Sequence, residues 1–265
     1  MMLTTYCDDG GGDDHGYTVI CGWVSTVDQW DGFEVDWKLL LIHYEIPFFH
    51  MSKLAHWNAP YEKWKANPGI RDRFLREAGK VIRSRVKKGF LVYVNHSHFK
   101  TVNSLFELEE SFGSAHGLAG RLCMDRADFW RKSENYSFDT MRFVFEDGPG
   151  YADVSRAACA ITPHLPIPNF EASRDVKPCP DWPEGRIGVV QLQSADYLAY
   201  EYRKAIADKR DKGLDVHRKS LQALLGVPLE IAGFEGPIGI GTFCAHHDIK
   251  KRLPPDSAIY DRFKG

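Results

Sequence analysis

Short apolar segments alternate with longer amphipathic segments along this chain, and that alternation restricts the fold more than any other feature. Runs rich in β-branched and aromatic residues predict strands at 3–7, 17–24, 48–51, 90–94, 141–145 and 187–191. Apolar residues at helical spacing predict helices at 27–44, 70–86, 114–132 and 152–160, and a further helix that begins at Ser194. Strands separated by helices are typical of an α/β protein with an open sheet.

The domain organisation follows from the length and from the distribution of proline. A chain of 265 residues can bury a large core, and residues 1–265 show no internal repeat or low-complexity linker, so a single α/β domain with insertions is predicted. Half of the 14 prolines lie between Pro149 and Pro183, which predicts a loop insertion at 149–185. Residues 210–265 form a C-terminal extension. The pattern predicts one or two helices within it and does not define the structure of the rest.

Composition restricts the cellular setting. No stretch approaches the roughly 20 apolar residues that a membrane span needs, and the first residues do not resemble a signal peptide. The cysteines are scattered without a C-x-x-C pair, which argues against a zinc site and against a disulfide framework; they are Cys7, Cys21, Cys123, Cys159, Cys179 and Cys244. We therefore expect a soluble, cytoplasmic protein. A net charge of −2 neither supports nor excludes a nucleic-acid partner.

Three acidic residues share a position at or just after a predicted strand. Asp8 ends the first strand, Glu146 ends the strand at 141–145, and Asp196 lies in the first turn of the helix after residues 187–191. Functional residues of open α/β sheets gather at such places, so these carboxylates are expected to converge. Converging carboxylates repel each other unless a cation neutralises them, and Mg²⁺ or Mn²⁺ prefers oxygen ligands.

Each of these carboxylates also has a purely structural interpretation. Asp8 and Asp9 precede glycines, as in a hairpin turn, and the segment 146–148 is equally turn-like. Asp196 is also suited to complement a helix dipole. Spacing and composition leave the metal-site and structural interpretations open.

The order of these motifs resembles the prokaryotic and phage family called domain of unknown function 3800. The resemblance covers most of residues 3–206. The matching segments are Tyr6-Cys7-Asp8-Asp9-Gly10-Gly11, the strand and helix at 20–41, Phe49-His50-Met51, Val144-Phe145-Glu146-Asp147, and Gln193-Ser194-Ala195-Asp196-Tyr197-Leu198-Ala199. Asp9 and Gly10 stand where the family usually has Glu and Ser, residues 12–14 lengthen the turn, and nothing beyond residue 210 matches.

This resemblance implies an RNase H-like fold, with a mixed central sheet flanked by helices, and metal-dependent nucleic-acid chemistry. In a two-metal scheme, Asp8 is expected to bridge both ions, while Glu146 and Asp196 each complete one coordination sphere. Asp147 is a further candidate ligand, and Asp9 is a substitute or supporting residue. His50 is the candidate to orient water or transfer a proton. Gln193 is expected to contact a ligand carboxylate or the substrate backbone.

Three functions fit this sequence. The first is a metal-dependent nuclease acting on DNA or RNA, associated with phage defence or mobile elements. The second is a non-catalytic RNase H-like module that binds nucleic acid or protein, and the third is hydrolysis of a small phosphorylated substrate. The absence of a P-loop pattern argues against an NTPase. The basic face of the helix at 70–86 is either a phosphate-tracking surface or a solvated helix face, and His246-His247-Asp248 is expected at the surface.

Overall fold

A six-stranded mixed sheet forms the centre of the computed structural model, which describes residues 2–10, 16–134, 136, 140–178, 185–213, 218–234, 236–254 and 256–263. Its strands are β1 (Met2–Asp9), β2 (Tyr17–Thr26), β3 (Lys88–Asn95), β4 (Thr140–Glu146), β5 (Asn169–Glu171) and β6 (Leu229–Gly233). The α-helices are α1 (Val27–His43), α2 (Met51–Ala55), α3 (Pro68–Arg85), α4 (His96–Asn103), α5 (Leu108–Phe112), α6 (Ala115–Ser133), α7 (Tyr151–Ala160), α8 (Val190–Lys212), α9 (Lys219–Gln222) and α10 (Pro237–His246). Two 3-10 helices lie at Glu62–Trp64 and Ala258–Phe263.

The strand order is β5-β4-β1-β2-β3-β6. Strands β1, β2 and β3 form an antiparallel meander. Strand β4 joins β1 in parallel and β5 joins β4 in parallel, whereas β6 extends the opposite edge in parallel with β3. The parallel pairing of β1 with β4 brings the carboxyl ends of two strands that are far apart in sequence to the same edge.

Alternating side chains of the strands feed two separate hydrophobic cores. On β2, Val19, Cys21 and Trp23 enter one core, and Ile20 and Val24 enter the other. The strand is buried along its whole length because helices cover both faces. Helices α1, α3 and α8 supply the first core, and α4, α6 and α7 supply the second. The predicted α/β architecture, with a mixed central sheet flanked by helices, is therefore confirmed.

Two strand predictions are wrong. Residues 187–189 are irregular, and Ile187 is 86% exposed; helix α8 begins at Val190, one turn earlier than predicted. A short apolar run does not distinguish a buried helical turn from a strand, and the first turns of α8 are buried on all sides. Residues 48–50 are likewise irregular, and Met51 begins the short helix α2.

The insertion and the C-terminal extension both contribute strands to the central sheet. The region at 149–185 includes α7 and also β5. The sequence pattern did not predict β5, because the high proline content of this region indicated a loop. Beyond residue 210, β6 pairs with β3, and α10 packs on the second core through Ile240 and Cys244. The sequence pattern missed β6 because the strand is short and lies at an edge. Predicted turn residues 11–14 and Cys179 fall outside the described residues.

Three smaller features complete the described structure. Cys7, Cys21, Cys123 and Cys244 are buried and free, while Cys159 is free and exposed. Phe129 is 66% exposed, because α6 buries a different face. None of the helices in the described ranges combines the length and apolar character that crossing a membrane requires.

Candidate carboxylate site

Strand pairing places two of the three predicted carboxylates side by side. The parallel register pairs Cys7 of β1 with Phe145 of β4, so the next residues, Asp8 and Glu146, lie side by side on adjacent strands. Asp8 lies near the end of β1 and Glu146 is the last residue of β4. The prediction that carboxyl strand ends would bring them together is therefore realised in the structure.

The third carboxylate, Asp196, comes from helix α8, which packs across β1 and β2. A methyl group added at Gly10 would lie 2.3 Å from the Ala199 carbonyl oxygen, so the glycine permits close approach of the helix to the strand end. Asp196 lies about one turn before Ala199 and reaches the site from there. The expectation that Asp196 lies on a helix and converges with the other carboxylates agrees with the structure, but it lies in the second turn of α8 and not the first, and residues 187–189 before the helix are irregular and not a strand.

One cavity of about 240 Å³ collects the predicted metal ligands and His50, but not Gln193. Asp8, His50, Glu146, Asp147 and Asp196 line it. They derive from β1, the segment before α2, the end of β4 and helix α8. Five residues from four distant segments meeting in one pocket favours a functional site over independent turn residues.

Burial and neighbouring charges oppose the ionisation of Asp8 and Asp196 in this pocket. Burial raises the pKa of Asp8 well above its usual range, and the charges of Glu146, Asp196 and Asp9 and a hydrogen bond shared with Glu146 raise it further. The pKa of Asp196 is raised to about 7, first by burial and then by Glu146 and Asp9, against the hydrogen bond from the Met51 amide and the nearby Arg174. A cation in the pocket would therefore favour the ionised forms of Asp8 and Asp196.

Asp196 also organises the segment that carries His50. Its Oδ2 accepts a hydrogen bond from the backbone N–H of Met51 at 2.6 Å, and the His50 Nδ1 lies 3.6 Å from the same oxygen. Burial lowers the pKa of His50, and Arg174 lowers it further, which favours the neutral ring. Among the described residues, His50 Nδ1 is a buried atom without a hydrogen-bond partner. A neutral, unpartnered imidazole nitrogen can accept a proton or bind a ligand.

Glu146 and Asp147 have different surroundings. The Ser173 hydroxyl donates a hydrogen bond of 2.5 Å to Glu146 Oε1. Arg186 forms an ion pair with Asp147 at 2.7 Å, and it also lies 3.5 Å from Glu171. Asp147 lines the pocket, but its charge is already paired, so Glu146 is the better placed of the two to act as a ligand.

Gln193 has a structural role, contrary to the expectation that it contacts ligand or substrate. Its Oε1 accepts hydrogen bonds from Trp37 Nε1 and the Phe49 amide, both at 2.9 Å, and its Nε2 donates to the Ser173 carbonyl oxygen at 2.7 Å. The side chain is 1% exposed. It thereby joins helix α8 to the segments that carry His50 and Ser173, and so positions two parts of the pocket.

The Gln193→Met substitution is expected to destabilise the protein by about 2–4 kcal/mol. The change keeps the side-chain volume, but it leaves the buried Trp37 and Phe49 donors and the Ser173 carbonyl unsatisfied. Urea unfolding followed by circular dichroism measures the loss. Gln191→Met is the matched control, since Gln191 is also buried on α8 but makes only long hydrogen bonds of 3.3–3.4 Å. Equal losses in both variants would contradict this role.

Sequence reasoning missed several residues of the pocket. His116, in the first turn of α6, lines the cavity, and its Nδ1 lies 4.0 Å from Asp9 Oδ2. Tyr151 and Phe170 line it as well. No motif marks these positions, because they reach the site through the packing of α6, α7 and β5 around the strand ends.

The basic face of α3 is partly committed to internal contacts. Arg85 forms an ion pair with Asp36 at 2.7 Å, and Arg83 donates to the Ala223 carbonyl oxygen. Arg71 lies over the Trp57 ring at 4.7 Å. These contacts favour the structural interpretation of the face for the three arginines concerned.

The donor chemistry of the pocket suits Mg²⁺ or Mn²⁺, because several carboxylates line it and these ions prefer oxygen ligands. The side chains do not close around one point: within the described ranges, no group of three or more His, Cys, Asp and Glu side chains is arranged to hold a metal ion. Binding therefore requires these carboxylates to turn toward a shared ion.

Comparisons with protein-family models, with curated proteins and with solved structures each found no match. The resemblance to domain of unknown function 3800 is therefore still a prediction from the motifs.

Proposed function

We propose that this protein is a divalent-metal-dependent phosphodiester hydrolase that acts on nucleic acid. One observation carries the proposal: Asp8, Glu146 and Asp196, from three distant segments, line a single pocket, where the charge of Glu146 raises the pKa of both Asp8 and Asp196. Carboxylates placed in this way cost stability, and a bound cation would reverse that cost. Mg²⁺ or Mn²⁺ is the proposed cofactor.

The fold supports an RNase H-like assignment within the same proposal. An antiparallel meander, β1-β2-β3, is extended past β1 by the parallel strands β4 and β5. The acidic residues lie at the carboxyl ends of the adjacent strands β1 and β4, where open α/β sheets place their sites. Membership of the domain of unknown function 3800 family, a cytoplasmic location and a link to phage defence belong to this proposal as well.

The proposed chemistry assigns a role to each side chain. Asp8 would hold both ions, while Glu146 and Asp196 would each hold one of them. When bound, the ions would polarise the scissile phosphate and lower the pKa of the attacking water. Ser173 and the Met51 amide orient Glu146 and Asp196 through their hydrogen bonds. His50, neutral and beside Asp196, accepts a proton from water or orients it.

A non-catalytic RNase H-like binding module is the second candidate. The observation in its favour is that the carboxylates, as they stand in the described structure, do not enclose one ion. In this alternative, the pocket binds a ligand without cleaving it. The domain then has the fold and the acidic residues of an enzyme but no catalytic activity.

Calorimetric titration with Mn²⁺ tests the proposal. The wild-type protein is expected to bind Mn²⁺, and Asp196→Asn is expected to weaken binding at least about tenfold, because the substitution removes one charged ligand. Asp208→Asn is the matched control, since Asp208 lies on the same helix and pairs with Lys212 away from the pocket. Absence of Mn²⁺ binding by the wild type, or equal binding by Asp196→Asn, would contradict the metal site.

A further inference from the structure

Aromatic rings line the same pocket as the carboxylates. Tyr151, Phe170 and Phe145 all contribute to its lining. The Tyr151 ring meets the Phe170 ring edge-on at 5.3 Å, and Phe170 lies 6.2 Å from Phe145. Phe145 is buried and Phe170 is half-buried, whereas Tyr151 is 53% exposed. The rings thus run from the core to an exposed tyrosine beside the carboxylates.

Tyr151 begins α7 and is far more exposed than the residues that anchor the helix. The buried residues of α7 are Val154, Ala157 and Ala158, whereas Tyr151 is 53% exposed. The backbone just before Tyr151 is constrained. Gly150 adopts φ +99°, and a methyl group there would lie 2.8 Å from the His116 ring. The chain therefore places an exposed aromatic ring at the pocket.

We propose that Tyr151 stacks on an unpaired base of a single-stranded nucleic acid whose phosphate lies at Asp8 and Glu146. The inference rests on the proposed function and specifies its substrate class. Stacking of a base on an aromatic side chain contributes about 1–3 kcal/mol and tolerates any base. Bases inside a duplex are covered on both faces by their neighbours, so a single protein ring has access only to unpaired or terminal bases.

The size of the cavity agrees with this substrate. At about 240 Å³, the cavity lies below the range of roughly 300–1,000 Å³ usual for drug-sized ligands. Such a space holds one base or one phosphate group, and it does not enclose a double helix. The carboxylates repel phosphates in the absence of a cation, so the stacking contribution is best measured with a divalent ion present.

Fluorescence anisotropy of labelled eight-nucleotide single strands, DNA and RNA, with Ca²⁺ in place of Mn²⁺, tests the proposal. Ca²⁺ shares the oxygen ligands of Mg²⁺ but accepts looser geometry. We expect Tyr151→Ala to raise the Kd about 5- to 100-fold and Tyr151→Phe to keep it within about twofold. Phe129→Ala is the matched control, because Phe129 is an aromatic residue, 66% exposed, outside the pocket.

A second measurement locates the stacked base. One abasic nucleotide, moved along the single strand, is expected to weaken wild-type binding at a single position, and that loss should disappear in Tyr151→Ala. Equal binding of single strands by wild type and Tyr151→Ala, or an equal loss on a blunt duplex, would overturn the proposal. The same holds if the wild type binds no single strand.

The outcomes also separate this inference from the proposed function. If Tyr151→Ala leaves both Mn²⁺-dependent cleavage and binding unchanged, the stacking site is contradicted and the proposed hydrolase activity is supported. Binding that depends on Tyr151, without Mn²⁺-dependent cleavage, supports the stacking site and favours the non-catalytic module.

Discussion

The Asp8→Asn variant is expected to lose Mg²⁺- or Mn²⁺-dependent cleavage by at least about a thousandfold while keeping its fold. Asp8 lies beside Glu146 at adjacent strand ends, and Asp196 acts on it electrostatically. Removing its charge would take away a carboxylate proposed to hold the ions, and stabilisation of the transition state by metal ions is worth several kcal/mol. A loss of ~4 kcal/mol corresponds to a thousandfold decrease in rate.

Hydrolysis of a fluorescent single-stranded substrate at several Mn²⁺ concentrations measures this loss, and circular dichroism checks the fold. Asp28→Asn is a suitable control, since Asp28 is an exposed residue in the first turn of α1. The fold should persist because Asn has the shape of Asp and relieves charge repulsion in the pocket. Undiminished, Mn²⁺-dependent cleavage by Asp8→Asn would remove Asp8 from the proposed site.

The local pattern of apolar residues was sufficient to predict most strands of the central sheet. Strands β1, β2, β3 and β4 alternate or cluster their apolar residues strongly enough to be predicted within a few residues of their observed bounds. Strands β5 and β6 are short and lie at the two edges, where little apolar sequence is needed. The apolar run at 187–191 was wrongly predicted as a strand. The first turns of α8 are buried on all sides, so they lack the polar face that would reveal a helical periodicity.

Some residues of the candidate site could likewise be predicted from the sequence, and others could not. Asp8 and Glu146 could be predicted, since the carboxyl ends of strands are where such sites form. Asp196 was correctly predicted on a helix, but the strand predicted before that helix is absent at 187–189, and the position of Asp196 depends on the close approach of α8 to Gly10. His116 and Tyr151 could not be predicted, because only the packing of α6 and α7 brings them to the pocket. The role of Gln193 was also inaccessible, because all of its partners are distant in sequence.

The metal-free Asp196→Asn variant is expected to be more stable than the wild type at pH 8 and equally stable near pH 4. The pKa of Asp196 is raised to about 7 in the folded protein, from a usual value of 3.8. Between these values the folded state retains a proton that the unfolded state releases, so wild-type stability falls as the pH rises and the loss is complete above about pH 7. Asn avoids this loss, which is at most about 4 kcal/mol. It also keeps an oxygen that can accept the hydrogen bond from the Met51 amide.

Urea unfolding from pH 4 to pH 8 in a chelating buffer measures the difference, and Mn²⁺ added in place of the chelator should shrink or reverse it. At a hundredfold excess over its Kd, a ligand that binds only the folded state adds about 2.7 kcal/mol, and the Asn variant should gain little of this. The wild type would then approach or exceed the variant at pH 8. A variant less stable than the wild type at pH 8 without metal would show that Asp196 is an ordinary structural carboxylate. Equal Mn²⁺ stabilisation of both proteins would show that the ion binds elsewhere.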